Sequence, residues 1–288
     1  MIKDFAVFIC THGRPYKQHT YKMLRECGYT GRIVTLLDNE DETCGRYKEE
    51  GYNVTIFDKQ YYIDKVDIGR SDAKRAAILY AKCACEDIAK ENDLRAFVIV
   101  DDDIKSLRYR YREKDTLRTL QIRLGLDEIF QAYISFMLDC NVCMSSLGTS
   151  QIYIGGIKDE KITDLRIPYS FVFRNASIPV DWVSEMNEDT VTALNEANNG
   201  KYMLQLPFIQ LFTNDLNSGN IGGMTEAYKS MSDFQRISSL FEFHPNCVRY
   251  YAVKNKVTHS IIKDAAFPKL VSSRYKHESS DKDTRKAI

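Results

Sequence analysis

Ala96-Phe97-Val98-Ile99-Val100-Asp101-Asp102-Asp103-Ile104 is an unbroken apolar run that ends in three consecutive carboxylates. A short apolar run of this kind reads as a strand buried on both faces. Three adjacent carboxylates repel one another and cost stability unless a cation neutralises them. Hard divalent ions such as Mg2+ or Mn2+ take one or two carboxylates together with phosphate oxygens of a substrate. In an extended segment Asp101 and Asp103 project to one side and Asp102 to the other. The outer pair is therefore the metal candidate, and Asp102 faces a sugar or a neighbouring basic group. A solvated acidic turn uses the same residue types, so the setting of the triplet has to decide.

Towards the N-terminus, strand and helix signals alternate. Phe5 to Cys10 reads as a buried strand, and a helix follows from about Tyr16 to Cys27, stopped by Gly28. Arg32 to Asp38 is a second strand, Glu42 to Glu50 a short helix ended by Gly51, and Asn53 to Asp58 a third strand. Ser71 can cap a helix reaching Glu91, with Ala77, Ala81, Ala84 and Ile88 at helical spacing. Arg95 to Val100 is the fourth strand. Strands separated by helices imply crossovers, hence a mostly parallel sheet covered on both faces. Ligands of such sheets sit beyond the carboxyl ends of the strands. The residues there are Thr11-His12-Gly13-Arg14, Asp38, Asp58 and the Asp101–Asp103 turn.

Towards the C-terminus the pattern is mixed. Arg108-Tyr109-Arg110-Tyr111-Arg112 alternates basic and aromatic residues, and a helix is expected from about Thr116 to Leu138. Strands are expected at Asn141 to Ser146, Gln151 to Ile154, Ser170 to Phe173, Tyr202 to Phe212 and Val248 to Val253. Asp189 to Asn198 reads as a helix stopped by Gly200, and a glycine-rich stretch from Asn217 to Gly223 precedes a helix from Thr225 to Leu240. The expected organisation is a nucleotide-binding half over 1–105, a mixed catalytic and acceptor half over 106–271, and a polar mobile tail over 272–288.

The 288 residues are 44% hydrophobic, enough for a sizeable core, and 40 basic residues balance 40 acidic ones. That balance excludes a protein that coats nucleic acid through a global positive field; contact with DNA would need a local basic patch. The eight cysteines are scattered, and Cys140 and Cys143 form a CxxC without a second pair, so buried reduced thiols are expected. No signal-peptide layout opens the chain and no apolar stretch approaches a membrane span, which points to the cytoplasm and to no membrane partner.

A doubly wound half that closes on an apolar strand and DxD resembles the GT-A glycosyltransferases. The stretch Phe8-Ile9-Cys10-Thr11-His12-Gly13-Arg14-Pro15, with Val98 to Ile104, is most similar to the TET-associated and GREB1-like glycosyltransferases. Members of that group are linked to sugar addition on hydroxymethylated pyrimidines in DNA, especially in phages. The resemblance implies a GT-A-type α/β fold, a nucleotide-sugar donor (a UDP-sugar), Mn2+ or Mg2+, and duplex DNA with modified pyrimidines as partner, the enzyme being phage-encoded and acting in the host cytoplasm. By position it implies that Thr11, His12 and Arg14 hold the base and ribose, that Asp38 reads the base edge, and that Asp102 lies toward the donor. Arg70 and Arg75, at the entrance of the helix before the DxD strand, face the diphosphate or sugar, where helix amides also favour anions.

In the second half, Trp182 precedes Glu188-Asp189, where GT-A enzymes often carry a Glu-Asp pair that supplies the base for the acceptor hydroxyl. Asp189 is the first choice and Glu188 the second; acidic residues at a helix start also arise from the helix dipole alone. A carboxylate base suits inversion at the anomeric carbon. Gly155 and Gly156 allow close approach of backbone to sugar or acceptor. His259, with His244 as rival, completes the metal shell. Arg108, Arg110 and Arg112 would bind DNA phosphates while the tyrosines stack on bases, and Trp182 joins the acceptor side. A protein, lipid or glycan acceptor is the nearest alternative. A nucleotidyltransferase would need a longer glycine-rich loop than Thr-His-Gly-Arg-Pro after the first strand, and an inactive binding module would not need to keep both DxD and Glu-Asp.

Overall fold

The computed structural model describes residues 4–66, 68, 78–114, 116–149, 163–164, 167–213, 231–253 and 256–266. Its frame is one sheet. β1 (Phe5–Cys10), β2 (Arg32–Asp38), β3 (Val54–Phe57) and β4 (Ala96–Asp101) are parallel neighbours in the order β3-β2-β1-β4. Each of β1, β2 and β4 is an almost wholly buried apolar run, as a strand covered on both faces requires. The sheet then continues through β9 (Phe171–Asn175), β7 (Met144–Gly148), β10 (Met203–Thr213), β5 (Ile104–Glu113) and β6 (Thr116–Gln121), with the two-residue β8 (Thr163–Asp164) also on β10. β9 is antiparallel to β4 and β7, while β10 is parallel to β7 and antiparallel to β5. This is the α/β architecture expected of a GT-A-type chain, with a parallel first half and a mixed second half.

Two apolar layers cover the sheet. One packs α1 (His19–Glu26) and α5 (Leu126–Asp139) on the face of Phe5, Val7 and Ile9. The other packs α3 (Lys59–Lys65), α4 (Leu79–Glu91), α6 (Glu188–Asn198) and α7 (Asp233–Phe243) on the face of Ala6, Phe8 and Cys10. The short α2 (Cys44–Glu49) bridges β2 and β3. β11 (Val248–Val253) and β12 (Lys256–Ile261) form a separate two-stranded sheet against α7. None of the described helices is long and apolar enough to cross a membrane.

Several boundaries differ from expectation. The helix expected over 116–138 divides: Thr116–Gln121 is strand β6 paired antiparallel with β5, and α5 starts only after Gly125, whose φ of 82° suits glycine. Of the helix expected over 225–240, the described residues show α7 from Asp233, N-capped by Ser232, whose capping box with Gln235 satisfies the first amides; residues 225–230 lie outside the described residues. Strand β12 was not anticipated. β10 changes register around Pro207, which has no amide to give to a ladder. The expected strand at 151–154, the glycine-rich stretch 217–223 and the tail from 272 lie outside the described residues.

Candidate active site

The Asp101–Asp103 turn lies at the carboxyl edge of β4, beside the carboxyl end of β1, and α1 grips its backbone. Thr20 donates its amide to the Asp102 carbonyl at 3.1 Å and its hydroxyl to the Asp101 carbonyl at 2.5 Å, and accepts the Ile104 amide at 3.0 Å. A helix start supplies amides that nothing inside the helix uses, and here one of them fixes the acidic turn.

Asp102 turns inward; it and Asp103 form a turn between β4 and β5 rather than the extended segment expected from the sequence. Asp102 is 3% exposed, accepts the Thr11 hydroxyl at 2.5 Å and pairs with Arg14 Nη1 at 3.1 Å. Gln18 holds the same loop by donating to Thr11 Oγ1 and to the Arg14 carbonyl, and Tyr47 Oη accepts the Arg14 amide at 2.8 Å. Of the sequence alternatives for Asp102, a basic neighbour is the one realised, and its carboxylate locks the first-strand loop.

Asp38, buried at the end of β2, has both oxygens engaged. Oδ2 meets His12 Nδ1 at 2.7 Å, while Oδ1 meets Lys59 Nζ at 2.8 Å and the Glu40 amide at 3.1 Å. Burial alone would raise its carboxyl, but the hydrogen bonds and charges of His12 and Lys59 prevail and hold it down at about 2. The same Asp38 bond raises His12 above its usual range. The carboxylate expected to read a base is thus spent on orienting an imidazole that remains partly exposed.

On the other side of the turn a cation from α4 meets acids from α6. Lys82 Nζ lies 2.7 Å from Glu188 Oε1 and 4.8 Å from the centre of the Trp182 ring. Although Lys82 is 7% exposed and burial opposes its charge, Glu188, Asp189 and Asp101 keep it protonated. Burial pushes Asp101 up to about 7, Lys82 opposes this, and Asp103, Asp102 and Glu188 add to it. Burial and Asp102 raise Asp103, while burial and Glu188 raise Asp189 against the pull of Lys82. The turn before α6 is also held. Ser184 and Asn187 are left-handed, with φ of 69° and 53°, and Asn187 Nδ2 donates to the Arg236 carbonyl of α7 at 2.5 Å. A non-glycine residue keeps such a conformation only where its surroundings impose it.

Three expectations need correction. Trp182 does not present an open stacking surface for an acceptor: it is 3% exposed, its indole N–H donates to Glu86 at 3.0 Å and its face backs Lys82. His259 sits on β12 opposite Tyr250, in the separate small sheet, so it does not join Asp101 and Asp103. Among the described residues no group of three or more His, Cys, Asp and Glu side chains is placed to hold a metal. His244, the rival, is buried against the Val191 carbonyl at 3.2 Å.

The third correction concerns Arg108, Arg110 and Arg112. They do not ring the mouth of the site, because β5 starts at the acidic turn and runs back toward the opposite edge of the sheet. Arg112 lies eight residues along it, roughly 25 Å at the rise of a strand. Arg108 stacks on Phe212 at 4.3 Å and Arg110 donates to Gln210 at 2.5 Å. Arg70, Arg75, Gly155 and Gly156 lie outside the described residues.

Asp101 and Asp103 are hard oxygen donors in a patch where carboxylates outnumber cations. That donor set fits a divalent ion completed by substrate oxygens. Residues 5–219 match the family model for TET-associated glycosyltransferases. The chain belongs to that family. No curated protein matches this glycosyltransferase. Among solved structures it is similar to glucosyl-3-phosphoglycerate synthase from Mycobacterium tuberculosis, in complex with Mn2+, UDP and glucosyl-3-phosphoglycerate, at 10% identity and TM-score 0.42, covering 90% of this chain and 87% of that one. It is also similar to residues 1–349 of TarS from S. aureus, at 10% identity and TM-score 0.41, covering 83% of this chain and 70% of that one.

Lys82, Tyr47, Gln18, Thr20 and Lys59 were not singled out from the sequence. Their functional signal is the company they keep across the fold, which local spacing does not carry.

Proposed function

We propose that this glycosyltransferase moves a sugar from a nucleotide-sugar donor, a UDP-sugar, to the hydroxyl of a hydroxymethylated pyrimidine in DNA. The observation that carries the reading is the meeting of Asp101, which ends β4 beside Asp103, with Glu188 and Asp189, opening α6, around the buried ammonium of Lys82. The acceptor class is supported by the name of the matching family, TET-associated glycosyltransferase.

Asp101 and Asp103 would hold the divalent ion, Mn2+ or Mg2+, which supplies positive charge for the diphosphate. Thr11 and Arg14, locked by Asp102, shape the wall for the nucleotide, and His12, oriented by Asp38, offers its free ring edge to the base. Asp189 takes the proton of the acceptor hydroxyl as that oxygen attacks the anomeric carbon. The bond from that carbon to the diphosphate breaks, and the electron pair leaves with the diphosphate. Burial raises the Asp189 carboxyl, which makes it a stronger base once ionised. Attack from the face opposite the leaving group inverts the anomeric centre.

The test is Asp189→Asn with hydroxymethylated duplex DNA and a panel of nucleotide sugars in Mn2+. Turnover should fall by about 100-fold or more, the scale of a lost general base, while donor binding by calorimetry stays unchanged. Full turnover in that variant would overturn the base assignment. Failure of the wild type to modify hydroxymethylated DNA with any donor would move the acceptor to a protein, lipid or glycan.

A further inference from the structure

We propose that Lys82 is a positioning residue that engages Glu188 as a fixed counter-charge and leaves Asp189 as the one carboxylate of the pair available to the acceptor. The inference rests on the reading of Glu188-Asp189 as the source of the base, and it assigns different jobs to the two acids.

Geometry separates the two acids. Glu188 Oε1 lies 2.7 Å from Lys82 Nζ, and the two side chains are 12% and 9% exposed. Asp189 makes no ion pair with any described residue; its Oδ1 accepts the Thr190 amide at 2.9 Å. A carboxylate paired at this distance with a buried ammonium is fixed in place, because losing the contact would strand the cation. Asp189 is held mainly by its own helix start and feels the same cation only at longer range.

Lys82 is itself fixed on several sides, unlike a lysine left flexible to reach a phosphate. Its ammonium sits over the Trp182 ring, and Trp182 is anchored by its indole N–H to Glu86, one turn further along the same helix. Glu86 in turn pairs with the fully buried Arg174 of β9, at 2.6 Å from Nε and 3.1 Å from Nη2. α4 therefore carries a braced chain of groups, Arg174–Glu86–Trp182–Lys82, that ends on Glu188. A cation on a rigid support sets the direction of Glu188 and, through the shared first turn of α6, the placement of Asp189.

The experiment measures kcat and both KM values for Lys82→Met, Lys82→Arg, Glu188→Gln and the double variant Lys82→Met/Glu188→Gln, beside Asp189→Asn. Lys82→Met should lower kcat at least tenfold while the donor KM stays within about twofold. Lys82→Arg should recover part of the loss, and the double variant should turn over faster than Lys82→Met, because the stranded carboxylate is gone. Lys82→Gln, which keeps a hydrogen bond without charge, carries the test if the methionine variant does not fold, with the same loss of kcat expected. Wild-type kcat in the uncharged Lys82 variants, or a double variant no faster than Lys82→Met, overturns the assignment of Lys82 while an inactive Asp189→Asn leaves the base in place. Active Asp189→Asn with inactive Glu188→Gln instead overturns the underlying reading of Asp189 and this assignment together.

Discussion

Replacing Asp38 with Asn removes one charge and almost no volume from the cluster that holds His12. The carboxyl lies at about 2 in the folded protein against an ordinary 3.8, a difference worth about 2–3 kcal/mol at 1.36 kcal/mol per tenfold. His12 is partly exposed, so screening reduces the net contribution to about 2 kcal/mol. Because the folded value is the lower one, this stabilisation is complete above 3.8 and disappears as pH falls through about 2. It is down to roughly half by pH 3. His12 has the opposite sign: its raised value stabilises the fold below 6.5, and that contribution is lost as pH rises through the folded value. Asp38→Asn should lower the melting temperature at pH 7 by about 4–8 °C, taking about 2–4 °C per kcal/mol for a chain somewhat shorter than this one. The gap to wild type should narrow at pH 3. The His12 ring, followed by NMR, should titrate closer to 6.5 in the variant. Equal melting at pH 7, a gap that does not change with pH, or an unmoved His12 would refute the account of this cluster.

Three further outcomes follow from the same geometry. Asp103→Ala should abolish Mn2+-dependent binding of the donor by calorimetry while the melting temperature stays level or rises, since burial and Asp102 already oppose the charge of Asp103; intact binding would remove Asp103 from the metal site. Arg174→Met should cost about 3–5 kcal/mol in chemical denaturation, because it leaves Glu86 without its buried partner; a loss below about 1 kcal/mol would show that the pair is replaceable. Replacing Arg108, Arg110 and Arg112 with Ala should leave the KM for DNA within about twofold and its salt dependence unchanged, because β5 carries them away from the acidic turn; a flattened salt slope would restore them to the acceptor path.

The parallel half was legible because each strand is a largely apolar run and three of them close on a carboxylate, Asp38, Asp58 and Asp101, and those signals are local. Family membership was legible for the same reason, since the loop after β1 and the turn after β4 are contiguous motifs. The direction of the Arg-Tyr strand was not. Its alternation identifies a strand, but its course depends on β10, a hundred residues later. Within Thr116 to Gln121, Leu117 and Leu120 lie three apart, a spacing compatible with a helix, and pairing with β5 overrides it. Lys82 escaped notice because it and Glu86 are four apart on a helix and look like an ordinary solvent-facing pair. In the fold each turns to a different distant partner, Glu188 for one and Arg174 for the other.

That divergence bears on how enzymes of this shape acquire new substrates. Recombination that joined residues 1–105 of this chain to the remainder of a distant relative would part Glu86 from Arg174 and Lys82 from Glu188. It would also exchange β9, which is wedged directly against β4. A chimaera whose donor lacks these partners would inherit orphaned charges in its interior, each a penalty of several kcal/mol against a total stability of about 5–15 kcal/mol. Few crossovers at that point would survive as folded proteins. In a library of such chimaeras the folded members should be those whose donors carry the matching acid and base at both positions.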